Sequence, residues 1–231
     1  MKLLNLIIYN QNTEYDIMKS LLQKYLSKNN IIYYFIIFDN NISDNHVIIN
    51  DTIYLKGSES YLGIGGLLDK TIKSLEILNN LHYDFLIRTN ISTIINFKLL
   101  LQKLSDINSV SYASCLNFNL QWLDPPCGIF NNKYFGTIYS SGTCIILSKN
   151  LTQFIISHKN ELDYSVVDDV AIGILLNKYN FFPLCFDNLS LNSTQFNSDT
   201  IAYRNKRHNR FIDIYYMSSI INDLIKFSQF I

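Results

Sequence analysis

Tyr83-Asp84-Phe85-Leu86-Ile87-Arg88-Thr89-Asn90-Ile91-Ser92 is the stretch on which the reading of this chain turns. Phe85, Leu86 and Ile87 form a short apolar run without Gly or Pro, the pattern of a strand covered on both faces. The run ends at once in one cation and three hydrogen-bonding side chains, Arg88, Thr89, Asn90 and Ser92. Open α/β sheets bind ligands in the crevice at the carboxyl ends of their strands. The polar tip is therefore the expected floor of a binding site.

The flanking sequence supplies the rest of such a sheet. Residues 3–9 are aliphatic and β-branched, a buried first strand. Thr13 is placed to cap a helix whose apolar positions Tyr15, Met18, Leu21, Leu22 and Tyr25 recur at spacings of three and four. Residues 31–38 are the strongest β segment and stop at Asp39-Asn40-Asn41, so the chain opens as a βαβ unit with a parallel sheet. A strand at 52–55 and the loop Gly57-Ser58-Glu59-Ser60-Tyr61 precede a helix with Leu68, Ile72, Leu75 and Leu78 in one stripe. Beyond the polar tip, Phe97, Leu100, Leu101 and Leu104 mark another helix, and 110–116 reads as a strand. Residues 117–139 are irregular, with Pro125-Pro126, Gly128, Gly136 and the only tryptophan, Trp122. Long irregular insertions in compact domains tend to be functional. Ser140-Ser141-Gly142 leads into a strand at 143–147 and a helix from Lys149. Asp168-Asp169 opens the next helix, a strand follows at 182–186, and the loop 192–200 precedes Arg204-Asn205-Lys206-Arg207-His208-Asn209-Arg210 and a last helix. With no repeat or linker, 1–231 reads as a single α/β domain with a mostly parallel, Rossmann-like sheet and a basic lid and helix at about 192–231.

Composition bounds the function. A chain of 231 residues with 48% hydrophobic side chains and three prolines suits one compact core. Its 19 basic and 19 acidic residues cancel, which argues against nucleic acid and anionic membrane surfaces as partners. Cys115, Cys127, Cys144 and Cys185 are widely spaced without a C-x-x-C pair, so buried reduced thiols are expected rather than zinc or a disulfide framework. The opening apolar run stops at Tyr9-Asn10, too short for a signal peptide core or a bilayer span. A cytoplasmic protein is the expectation.

Three blocks in order resemble the β-1,3-glycosyltransferase superfamily of GT-A fold, which includes the fringe-like enzymes. Glu59-Ser60-Tyr61 followed by Leu68-Asp69-Lys70-Thr71 is similar to that family's acidic residue-Ser-Tyr and Leu-Lys-Thr. Tyr83-Asp84-Phe85 through Arg88-Thr89-Asn90-Ile91-Ser92 resembles its strand ending in Lys-Thr and an aspartate-rich metal motif. Ser141-Gly142 through Leu147-Ser148, with Asp168-Asp169-Val170-Ala171-Ile172-Gly173, resembles its acceptor-side strand and its Glu-Asp-Val-x-x-Gly block. The resemblance spans about residues 50–180. It implies transfer of a sugar from a nucleotide-sugar donor, a uridine diphosphate sugar first, to a carbohydrate or glycoprotein hydroxyl with inversion. It also implies Asp169 as the base that deprotonates the acceptor.

One departure matters. The family's Asp-Asp-Asp is Asn90-Ile91-Ser92 here. The resemblance implies Mn²⁺ or Mg²⁺, but Ser92 has no anionic oxygen for a hard cation and Asn90 only a neutral carbonyl. If no metal binds, Arg88 and the run Arg204, Lys206, Arg207 are the cations available to a leaving diphosphate. The donor set expected is Tyr9, Asn10, Asp39, Lys70, Arg88, Thr89, Asn90, Ser92, Arg204 and Lys206. The acceptor set is Trp122, Asp124, Ser141, Gly142 and Asp168.

Each signal has a plainer account beside it. Asp168-Asp169 suits any helix start through its free N–H groups and dipole. Asp39-Asn40-Asn41 forms turns, Trp122 packs, and the basic run suits a solvated helix entrance. A carbohydrate- or nucleotide-binding module that lost catalysis is the alternative function. His46, His82, His158 and His208 lack metal spacing, and Gly63-Ile64-Gly65-Gly66 lacks the preceding strand of a dinucleotide motif, so it reads as a turn.

Overall fold

The computed structural model of the chain describes residues 1–29, 31–107 and 110–229. Along the chain run β1 (Leu3–Ile8), α1 (Thr13–Lys28), β2 (Ile32–Asp39), β3 (His46–Ile49), β4 (Thr52–Lys56), α2 (Leu67–Leu78), β5 (Phe85–Asn90), β6 (Thr93–Ile95), α3 (Phe97–Ser105) and β7 (Tyr112–Ser114). There follow β8 (Asn117–Asn119), β9 (Ile138–Ser140), β10 (Cys144–Ser148), α4 (Lys149–Ser157), α5 (Asp168–Lys178), β11 (Leu184–Cys185), β12 (Leu189–Leu191), β13 (Ala202–Arg204) and α6 (Arg210–Gln229).

Eight strands form one sheet in the order β11-β7-β10-β5-β1-β2-β4-β3. Its centre, β5-β1-β2-β4, is parallel, with β5 and β1 in register from Leu3 opposite Phe85 to Ile8 opposite Asn90. β10 enters antiparallel to β5, so the start of β10 lies beside the end of β5. That reversal brings Ser141-Gly142 to the same edge as the parallel strand tips. β6 leaves the large sheet directly after β5 and pairs with β13, which pairs with β12.

Side chains along β1 alternate between two cores, as the pleat requires. Leu4 and Leu6 join the layer under α2, α4 and α5, while Leu3 and Ile7 join the layer under α1, α3 and α6. Helices therefore cover both faces, and the sheet's ends stay open. No helix among the described residues is long and apolar enough to cross a membrane.

Several local readings change. The cap of α1 is Asn12, whose extended backbone lets its side chain accept from Tyr15 N at 2.8 Å; Thr13 is already the first helical residue. β3 was not expected; it forms a hairpin with β4 around Asn50-Asp51, where Asn50 takes a positive φ of 55°. The strand expected at 182–186 shrinks to Leu184–Cys185 on the sheet edge.

Candidate active site

β5 carries Arg88 to the floor of a cleft at the strand tips. The side chain is buried, yet it cannot be buried as a lone charge without a large penalty. Its Nη2 pairs with Asp168 Oδ2 at 2.6 Å, and Nη1 donates to Asn90 Oδ1 at 3.1 Å and to the Gly142 carbonyl. Asn90 Nδ2 donates to that same carbonyl at 2.9 Å. Asp168 in turn accepts from Thr71 Oγ1 of α2 at 3.0 Å. The helices α2 and α5, the strand β5 and the turn before β10 are thus tied at one corner.

Asp169 sits at the first turn of α5, facing Gly142. Its Oδ2 accepts from Gly142 N at 2.8 Å and its Oδ1 from Val170 N at 2.9 Å. These donors favour the carboxylate, as does Arg88, but burial and the neighbouring Asp168 charge outweigh them and push the Asp169 carboxyl up to about 6. A carboxylate poised this close to neutrality is suited to taking a proton.

The cleft that these groups line has a volume of about 560 Å³. Tyr15, Tyr61, Leu67, Ser141, Thr143 and Asn192 complete its walls with Arg204 and Lys206. A smaller recess of about 180 Å³ adjoins it over the ends of β1 and β5, lined by Tyr9, Asn10, Ser92 and Arg210 and sharing Tyr15, Tyr61 and Arg204 with the cleft. Arg204 is held by β13: its register partner is Thr93, and its Nη1 donates to Ser92 Oγ at 2.5 Å. Burial, with Arg210 and Arg88 alongside, pulls its guanidinium down to about 10, so it remains charged at neutral pH.

The expected residues divide. Arg88, Asn90, Ser141, Gly142, Asp168, Asp169, Arg204 and Lys206 meet in the cleft, and Tyr9, Asn10 and Ser92 meet in the recess. Thr89 is fully buried and donates to Asn5 Oδ1 at 3.1 Å, because alternation along β5 turns it away from Arg88's side. Lys70 is buried beneath the recess, bonded to the Tyr9 carbonyl at 3.0 Å, Asn10 Oδ1 at 2.9 Å and Glu59 at 2.5 Å, so it acts as a strut. Asp39 lies outside both cavities and closes a turn by accepting from Asn41 N at 2.8 Å. Trp122 packs edge-on against Phe118, and Asp124 bridges Ile129 through its backbone; neither lines the cleft. Tyr15, Tyr61 and Asn192 stand outside the expected donor and acceptor sets, since their place in the cleft depends on how α1 and the loops after β4 and β12 fold back.

The corner does not suit a divalent cation. The Asn90 and Ser92 oxygens already accept from Arg88 and Arg204, and two guanidinium groups would repel a metal ion there. Among the described residues no group of three His, Cys, Asp or Glu side chains could hold one.

No family model matches this chain, and no curated protein matches it. Solved structures do match in fold. A glycosyltransferase involved in glycosylation of the major capsid of PBCV-1 superposes with a TM-score of 0.52 at 10% identity, over 94% of this chain and 98% of that one. The inositol-1-phosphate CTP transferase from T. maritima gives a TM-score of 0.53 at 9% identity, over 96% and 97%. The chain has this GT-A-like α/β fold. One neighbour is a glycosyltransferase and the other a CTP transferase, so the chemistry must be argued from the site.

Proposed function

We propose that this chain is a glycosyltransferase that moves a sugar from a nucleotide-sugar donor to a carbohydrate hydroxyl. The observation that carries the reading is the cleft itself, where a carboxylate with its pKa raised to about 6, Asp169, shares one opening with Arg88, Arg204 and Lys206. Such an arrangement offers a base for a hydroxyl and positive charge for a diphosphate, separated by room for a sugar. The recess at Tyr9 and Asn10 adjoins the cationic side and is the natural seat of the nucleoside.

In this reading the acceptor enters over Ser141-Gly142, and Asp169 takes the proton of its hydroxyl. The freed oxygen forms the new bond to the anomeric carbon as the bond to the diphosphate breaks on the opposite face, which inverts the centre. The electron pair of the breaking bond passes to the diphosphate, held by the cations. A carboxylate that works this way must keep its orientation, which the two backbone donors from Gly142 and Val170 provide. The resemblance of the sequence blocks to fringe-like β-1,3-glycosyltransferases supports a uridine diphosphate sugar and a carbohydrate or glycoprotein acceptor, and a cytoplasmic location accompanies this proposal.

The test is nucleoside diphosphate release from a panel of nucleotide sugars, with and without simple sugars as acceptors. Wild type is expected to turn over at least one donor, and Asp169→Asn to lose about 10²-fold or more in kcat while still binding it. Tight binding without turnover, unaffected by Asp169→Asn, would instead favour a binding module.

A further inference from the structure

We infer that Arg204 and Lys206 form a metal-independent binding site for a diphosphate group. This deepens the reading above and rests on it for what the diphosphate is attached to.

The site is built on a strand rather than on a loose loop. β13 pairs antiparallel with β6, and Asn205 N donates to the Ser92 carbonyl at 3.1 Å, so the backbone is locked on the residue that Arg204's side chain also grips. Asn192 fastens the same segment from the other side: its N donates to the Arg204 carbonyl at 2.8 Å, and its Oδ1 accepts from Lys206 N at 2.9 Å. Residues 204 and 206 both reach the cleft wall.

The charges there do not balance. Asp168 is committed to Arg88, and the buried Asp213 to Arg207 and Arg210. Asp169, the other carboxylate of the cleft, is held by the Gly142 and Val170 N–H groups and pairs with neither Arg204 nor Lys206. Neither Arg204 nor Lys206 forms an ion pair among the described residues. Arg204 also feels like charge from Arg210 and Arg88. A half-buried cation among cations is unfavourable until an anion arrives. A diphosphate supplies several oxygens at the spacing a guanidinium fork recognises. A divalent cation at this corner would instead add to the repulsion.

Inorganic pyrophosphate is the probe, since its binding needs neither a sugar nor turnover. Thermal shift and calorimetry on the full chain should show pyrophosphate binding that persists in EDTA and is not strengthened by added Mg²⁺. Arg204→Gln should weaken it about tenfold or more, and Lys206→Gln, at an exposed position that does not threaten folding, by several-fold. Binding that vanishes in EDTA, or that is unchanged in the folded Lys206→Gln and Arg204→Gln proteins, would overturn the inference. Pyrophosphate binding without turnover of any nucleotide sugar would leave this site standing and remove the transferase reading. Turnover with Arg204→Gln and Lys206→Gln fully active would do the reverse.

Discussion

Arg88 and Asp168 form an ion pair at 2.6 Å with side chains only 2% and 1% exposed, the most deeply buried pair of charges in the described structure. Adjacent in sequence, Asp168 and Asp169 therefore differ in kind: one is spent on holding Arg88 and the other faces the cleft. Removing one partner of such a pair strands the other in a dry interior. Asp168→Ala is expected to cost about 3–5 kcal/mol, read as a drop in denaturant midpoint. The double change Arg88→Met with Asp168→Leu should recover most of that stability without recovering turnover. A single Asp168→Ala protein as stable as wild type would show that the pair is not buried as described.

Lys70 gives a second prediction, because its ammonium is spent on Tyr9, Asn10 and Glu59 rather than on a ligand. Burial lowers its pKa against the pull of Glu59, which marks a cation held by neighbours it cannot exchange for water. Lys70→Met should destabilise the fold by about 2–3 kcal/mol. It should also raise the donor KM more than it lowers kcat, since Asn10 loses its anchor while Asp169 keeps both donors. A fall in kcat alone would place Lys70 at the reacting atoms instead.

How much of this was legible follows from the range of each signal. Phe85-Leu86-Ile87 announced a covered strand, and Asp168-Asp169 a helix start, because both are patterns within one element. The meeting of Arg88, Gly142 and Asp169 was approachable only because strand tips in such sheets share an edge. Thr89 was misassigned since a strand tip was read as wholly exposed, whereas the period of two turns alternate residues into the core beside Asn5. The grip of Arg204 on Ser92 spans 112 positions. It depends on β13 pairing with β6 in one particular register, and nothing in either short segment specifies the other.

The Asp169 carboxyl, raised from 3.8 to about 6, gives the pH dependence of both rate and stability. For the rate, kcat/KM should rise with pH through an apparent pKa near 6 and flatten above it. For stability the sign is opposite. Between those two values the folded state holds a proton that the unfolded chain has lost, so wild type loses stability as pH rises across that window. Asp169→Asn lacks this titration. Its melting temperature minus that of wild type should climb between about pH 4 and pH 6 and then level off. A difference that stays flat across the window would mean that Asp169 is solvated and not tuned.

Gly142 stands where the cleft's positive and negative halves touch, its N–H on Asp169 and its carbonyl on Arg88 and Asn90. A Cβ there would lie 2.9 Å from Asp169 Oδ2, 3.3 Å from its Cγ and 3.4 Å from Arg88 Nη1. Carbon and carboxylate oxygen do not tolerate 2.9 Å, and the atom most able to yield is the carboxylate end of Asp169. Gly142→Ala should therefore turn the base away from the acceptor, lowering kcat by about 10–100-fold, because small misplacements of a catalytic group cost that much. The fold should lose only about 1–2 kcal/mol, since the bonds from Arg88 and Asn90 to the residue 142 carbonyl remain. Gly136→Ala is the control: its φ of 90° strains any side chain, yet nothing lies within 4 Å of the added carbon. That variant should lose stability by a similar amount while kcat stays at the wild-type value. Equal losses of activity in the two alanine variants would trace the effect to general destabilisation and take Gly142 out of the positioning of Asp169.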